Sequence, residues 1–165
     1  MPFRLASGTG SAKANDFLIL PAMYQKDYIL RMISLIIKYI GEVLGLIKKG
    51  ELRQAADKID SGYTIFLRED AAFFRNIPAG ELTHKLLQEH NYTNGHLEIL
   101  AELFNAEAEL RLAQKDTAGC LEFSEKSLIL FGFIDIEYKT YSEDRIRKME
   151  AIRKRISDLG NQAGN

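Results

Sequence analysis

Along most of this chain apolar residues return every three or four positions, the period of a helix with one buried face. From 29 to 47 nearly every residue is apolar. The exceptions Arg31, Ser34, Lys38, Glu42 and Gly45 fall three or four apart and draw one narrow polar stripe. The pattern predicts a helix from about Tyr24 to Lys49, either a central core helix or one side of a dimer interface. Gly50 ends it, and Lys48 and Lys49 suit its negative end. Leu52, Ala55, Ala56, Ile59, Tyr63 and Phe66 give a second helix from about Glu51 to Leu67, in which Gly62 permits a close helix approach. A short helical turn over 69–77 precedes Pro78. A third helix then covers about 79–90 and turns Leu82, Leu86 and Leu87 inward.

Residues 94–131 carry the strongest pattern. Leu97, Leu100, Ala101, Phe104, Ala108 and Leu112 line a helix over about His96–Gln114, and a tight turn follows at Lys115-Asp116. Cys120, Leu121, Phe123, Leu128 and Phe131 line the next helix, with Asp116 as its N-cap and Gly132 as its C-cap. Residues 133–141 alternate apolar with charged, as a strand does. With no second strand to pair, they are expected to form an extended connector. Thr140 to Glu143 matches the capping-box spacing and opens a last helix. That helix turns Ile146, Met149, Ile152, Ile156 and Leu159 inward and stops at Gly160. The expected fold is all-α, with about six main helices.

The ends differ from the middle. Residues 1–22 are rich in small residues, and their one apolar run, Phe17–Leu20, is shorter than a signal peptide needs. They are expected to be a disordered tail, with Met23 as an alternative start. Residues 23–160 then make one helical domain and 161–165 a polar tail. A net charge of −1 supplies no bulk pull toward nucleic acid or anionic membrane. The charges inside 29–47 argue against a membrane span. A single cysteine, Cys120, excludes an intramolecular disulfide and fits a reducing cytosol, so the expected location is cytoplasmic.

The hairpin over 94–131 resembles a tetratricopeptide repeat, two antiparallel helices in about 34 residues with small side chains where they touch. In KDTAGCLEFSEKSLIL, Asp116 sits at the turn, Cys120 takes the place of the usual small alanine, and Ser127 is a second small contact. KKGELRQAADKI looks like a fainter copy, with Gly50 at the turn, Ala55 as the small contact and Ile59 inward. Phe123 stands one residue before the family's aromatic position, and Gly132 replaces its proline. The resemblance implies a right-handed stack of hairpins that binds other proteins. Separately, YQKDYILRMI is similar to the start of a family of uncharacterised bacterial helical proteins. That likeness implies a helical bacterial cytosolic protein and carries no activity.

Little in the chain points to chemistry. His84, His90 and His96 are six apart and do not share a helix face, so no metal site is expected. Cys120 has no histidine near it in sequence, and pairs such as Glu69-Asp70 and Glu107/Glu109 read as solvated faces. No glycine-rich phosphate loop follows a strand. We therefore expect no catalytic residue and no cofactor, and a function in binding another protein or peptide. The first candidate surface is Glu98, Glu102, Asn105 and Glu109, one polar stripe of a helix suited to a basic segment. The second is Tyr24, Tyr28 and Arg31 at the start of the first helix, a helix also suited to pairing with a second copy. The alternative is a nucleic-acid or membrane-surface binder working through Arg145, Arg147, Lys148, Arg153, Lys154 and Arg155. Glu143, Asp144, Glu150 and Asp158 oppose it. A small enzyme is the remaining class, and it lacks a nucleophile beside a base.

Overall fold

A computed structural model describes residues 22–138 and 141–164, with side chains from Asp27 onward. The tail expected over 1–22 thus lies almost wholly outside the described residues. The chain divides into two compact units, Met1–Met32 and Ile33–Asn165. The described part of the first is the opening of a helix, and the second holds everything below.

The described residues are mostly helical, with no strand among them, and form seven α-helices. These are α1 (Ala22–Lys48), α2 (Leu52–Leu67), α3 (Ala71–Arg75), α4 (Leu82–His84), α5 (Asn94–Ala113), α6 (Thr117–Tyr138) and α7 (Glu143–Ala163). The expected third helix is not one regular helix. After Pro78 the chain makes a 3-10 turn over Ala79–Glu81, then α4, then a π-helical turn over Lys85–Glu89. Leu82 and Leu86 still point into the core.

Local chemistry sets most of the ends. Gly50 stops α1 in the left-handed region, at φ 80. Asp70 opens α3 by accepting from the Phe73 amide at 2.8 Å, and Asp116 opens α6 by accepting from the Gly119 amide at 2.9 Å. Thr93 opens α5, a few residues before the start expected at about His96. Ser142 opens α7, accepting from the Arg145 amide at 3.2 Å, while Thr140 of the expected capping box lies outside the described residues.

Two expected breaks do not occur. Of the segment expected as an extended connector, 133–141, residues 133–138 are helical, because α6 runs through Gly132 to Tyr138. Leu130, Phe131 and Ile134 keep the helical period and are buried, and the Asp135 carboxylate accepts from Arg145 at 2.5 Å. A Cβ at Gly132 would make only an ordinary contact, with the Met149 methyl of α7 at 3.7 Å. Nor does Gly160 end α7, whose last turn runs through it to Ala163 on an exposed surface.

The central helix is α5, not α1. It packs along α6 and α2, and it buries residues on every side, from Leu97 to Leu110. Gly62 of α2 permits the approach expected of it, since a Cβ there would stand 3.0 Å from Leu103 and 3.1 Å from Tyr39. Ala55 and Cys120 are fully buried, as small contact residues should be. Ser127 adds a hydrogen bond across the hairpin, donating to the Ala101 carbonyl at 2.8 Å. Within the second unit, α1 buries only Ile36, Ile40 and Val43.

Candidate functional site

The acidic stripe of α5 faces α7. Arg145 reaches Glu98 at 3.4 Å, Lys148 reaches Glu102 at 2.5 Å, and Arg155 pairs with Glu109 and donates to Asn105 at 2.6 Å. Arg155 also donates to the Ser124 hydroxyl of α6 at 3.0 Å. The three charge pairs are 47, 46 and 46 residues apart, so α5 and α7 run parallel and their turns match one to one. Glu102 is only 5% exposed, and burial raises its carboxyl above the usual range while Lys148 opposes the shift. All four residues of the stripe are therefore engaged within the chain.

The same pairing uses three of the six cations singled out on α7. Of the others, Arg147 lies 3.8 Å from Glu143 and Lys154 2.8 Å from Asp158, both one turn along the same helix. Arg153 is exposed. The outward face of α7 thus mixes both signs of charge.

A second polar cluster lies on another side of α5. Glu107 is 1% exposed. It accepts from Arg75 Nε at 2.6 Å and from the Tyr63 hydroxyl at 3.3 Å, and Arg111 stands 3.7 Å away. Arg75 also holds Asp60 at 2.5 Å, and Arg111 holds Asp116 at 2.9 Å. Burial, followed by the negative charge of Glu107, pushes the Tyr63 hydroxyl well above its usual range. Lys126, 3% exposed, donates to the Arg75 carbonyl at 3.0 Å and to Glu122 at 2.8 Å. Every charge here has its counter-charge, so the cluster is built to hold α2, α3, α5 and α6 together. The pair Glu107/Glu109, expected as a solvated face, is split between the two networks.

The histidines are placed apart. His90 stands edge-on to Phe73 at 4.7 Å, and His96 stacks on Tyr92 at 4.7 Å. Nδ1 of His96 accepts from the Thr93 amide at 3.0 Å, closing a capping box in which histidine takes the usual glutamate's role. Burial depresses this ring to about 4. Among the described residues no three His, Cys, Asp or Glu side chains converge as a metal would require. Burial also raises the Cys120 thiol, and its sulfur lies 4.0 Å from the Ser124 hydroxyl.

The outward face of α1 remains. Leu35 is 47% exposed, Ile37 49% and Leu44 40%. The same helix carries Gly41 and Gly45, and among the described residues a Cβ built on either meets nothing within 4 Å. A helix-interior glycine costs about 1 kcal/mol relative to alanine, and no described contact within the fold uses either one. Of the other candidates on α1, Tyr28 is half-buried and Arg31 exposed, while the Tyr24 side chain falls outside those described. Beside α1, Tyr39, Leu46, Gln54, Asp57, Lys58 and Ser61 line a shallow hollow of about 500 Å³. A second, of about 390 Å³, lies between α5 and α7 around Leu112, Arg155 and Leu159. Among the described residues no helix is long and apolar enough to cross a membrane.

The fold and these surfaces define an all-α helical protein in which α5 is the hub. No protein-family model, curated protein or solved structure matches the chain.

Proposed function

We propose that the chain is a non-catalytic interaction module, a tetratricopeptide-like right-handed stack of helical hairpins that docks a protein through the outward face of α1. The observation that carries this reading is the exposure of Leu35, Ile37 and Leu44 beside two unused helix glycines. Exposed apolar groups gathered on one face mark interfaces. The stack reading draws on the α5–α6 hairpin with α7 parallel to α5, the order in which such hairpins repeat. The acidic stripe of α5 is the weaker docking surface, because a partner there has to displace α7. The alternative of a nucleic-acid or membrane surface on α7 has only the cations that α5 leaves over, interleaved with acids. The buried, unactivated thiol of Cys120 and the fully paired Glu107 cluster favour structure over catalysis.

The test is a photo-crosslinking residue at position 37, compared with one at position 153 on α7, in cells making the full chain. Protein adducts from 37 and none from 153 are expected. Adducts from 153 alone, or from neither position, overturn the reading.

A further inference from the structure

On the proposed reading of α1 as a docking face, we infer that its occupant is a second copy of this chain, paired antiparallel across a two-fold axis beside residue 39. The outward seam of α1 is Ser34, Ile37, Gly41, Leu44 and Lys48. The steps are three, four, three and four residues, the 3.5-residue repeat with which one helix packs along another. So the face is matched to a helix. Its side chains also alternate, small at Ser34 and Gly41, large at Ile37 and Leu44. A two-fold axis beside residue 39 sets Ile37 of each copy into the gap at Gly41 of the other. The same operation sets Leu44 over Ser34. Large then meets small at four places in one pair, as an isologous contact requires.

The remaining features agree. No charged residue interrupts the seam from Ser34 to Leu44. Lys38 and Glu42 lie on one edge, and the two-fold brings Lys38 of each copy beside Glu42 of the other, where Glu42 already holds Lys58 at 3.0 Å. Gly41 fits this contact, and no described neighbour within the fold takes up its space. Gly62 is filled by Leu103 and Tyr39 inside the fold, whereas the space at Gly41 is open. The seam from Ile33 to Lys48 is roughly 24 Å long at 1.5 Å per residue. One helix face of that length falls below a standard interface of about 800 Å² per partner. The dimer is therefore a reversible one of micromolar strength.

Sedimentation equilibrium of the full-length purified chain tests this, with melting temperature measured beside it. The wild type should populate a dimer in the micromolar range. Gly41→Ala should raise the melting temperature of the monomer, because alanine is the better helix former and has room. The same change should weaken self-association about tenfold, or 1.4 kcal/mol. Ile129→Ala, also exposed but on α6, should leave association unchanged. Ile37→Ala should weaken it, and adding Gly41→Leu to that variant should restore it by exchanging knob and hole. A monomer at all concentrations overturns the second copy, as does a Gly41→Ala variant that dimerises undiminished or an exchange that fails to restore pairing. So does a photo-adduct from position 37 to another protein or to residues 1–21 of the same chain. Adducts to another protein leave α1 as a docking face and change only its occupant.

Discussion

His96 ties the stability of the molecule to pH through a single hydrogen bond. Its Nδ1 accepts from the Thr93 amide at 3.0 Å, which requires that nitrogen to be unprotonated and places the ring proton on Nε2. The folded protein holds the ring neutral down to about 4, whereas an exposed histidine takes its proton near 6.5. Between these values the unfolded chain binds more protons than the folded one, so acid favours unfolding there. The stabilisation is fully present above pH 6.5 and is lost as pH falls toward 4. At about 1.4 kcal/mol per unit the loss amounts to about 3 kcal/mol, or about 6–12 °C of melting temperature for a chain of this size. Other groups also titrate in this range, so the measurement is a difference. His96→Gln keeps an acceptor that can reach the Thr93 amide and does not titrate. Urea unfolding of both proteins from pH 8 to pH 4 should give a stability difference that is flat above pH 7. Below that it should move against the wild type with a slope approaching 1.4 kcal/mol per unit. Parallel curves, or a wild type that gains on acidification, refute the account of the cap.

Three stability predictions follow from the packing around α5. Glu107→Ala strips a buried acid from Arg75, Tyr63 and Arg111, and should cost about 3 kcal/mol in urea unfolding, whereas Glu109→Ala, at the half-exposed rim of α7, should cost under about 1 kcal/mol. Gly62→Val drives methyl groups into Leu103 and Tyr39, and should cost about 1–3 kcal/mol by the same measurement. Cys120→Trp and Ala55→Trp, each in a fully buried small contact, should fail to give a cooperative thermal transition; a melt like that of the wild type would show these contacts to be loose.

What could be read from the sequence follows from which residues carry local information. Ala55, Gly62, Asp116 and Cys120 reveal their roles because turn geometry and close helix contact admit few side chains. The inward faces of α2 and α5 show in their three-and-four spacing. The stretch from Phe133 to Tyr138 misleads, because alternation of apolar and charged residues over so few positions fits either a strand or one edge of a helix. The burial of Ile134 and the pairing of Asp135 with Arg145 then decide for helix, and neither partner is local. Gly132 and Gly160 mislead too, because a glycine lowers helix propensity without forbidding helix, and the helix runs through both. The capping box at Thr93 escapes because histidine stands where glutamate is usual. The prominence expected of α1 rests on how apolar it is, but hydropathy does not say what lies against a face, and much of this one lies open.

The acidic stripe of α5 shows what a sequence holds back even when every residue is in hand. Glu98, Glu102 and Glu109 have the spacing of one helix face, and so do Arg145, Lys148 and Arg155. Each set alone reads as a solvated face or as a site for an outside partner of opposite charge. Taken together they share one offset, 46 or 47 residues, from the first pair to the last. A constant offset between opposite charges is what two parallel helices joined by an intervening antiparallel one produce, and it is visible before any coordinates. The partner that each stripe asks for is the other stripe. Burial raises the stakes of this match, since Glu102 at 5% exposure loses its counter-ion Lys148 if α7 leaves. Recognition of other molecules then falls to surfaces whose groups have no such match within the chain, and the seam of α1 is the one whose repeat asks for another helix.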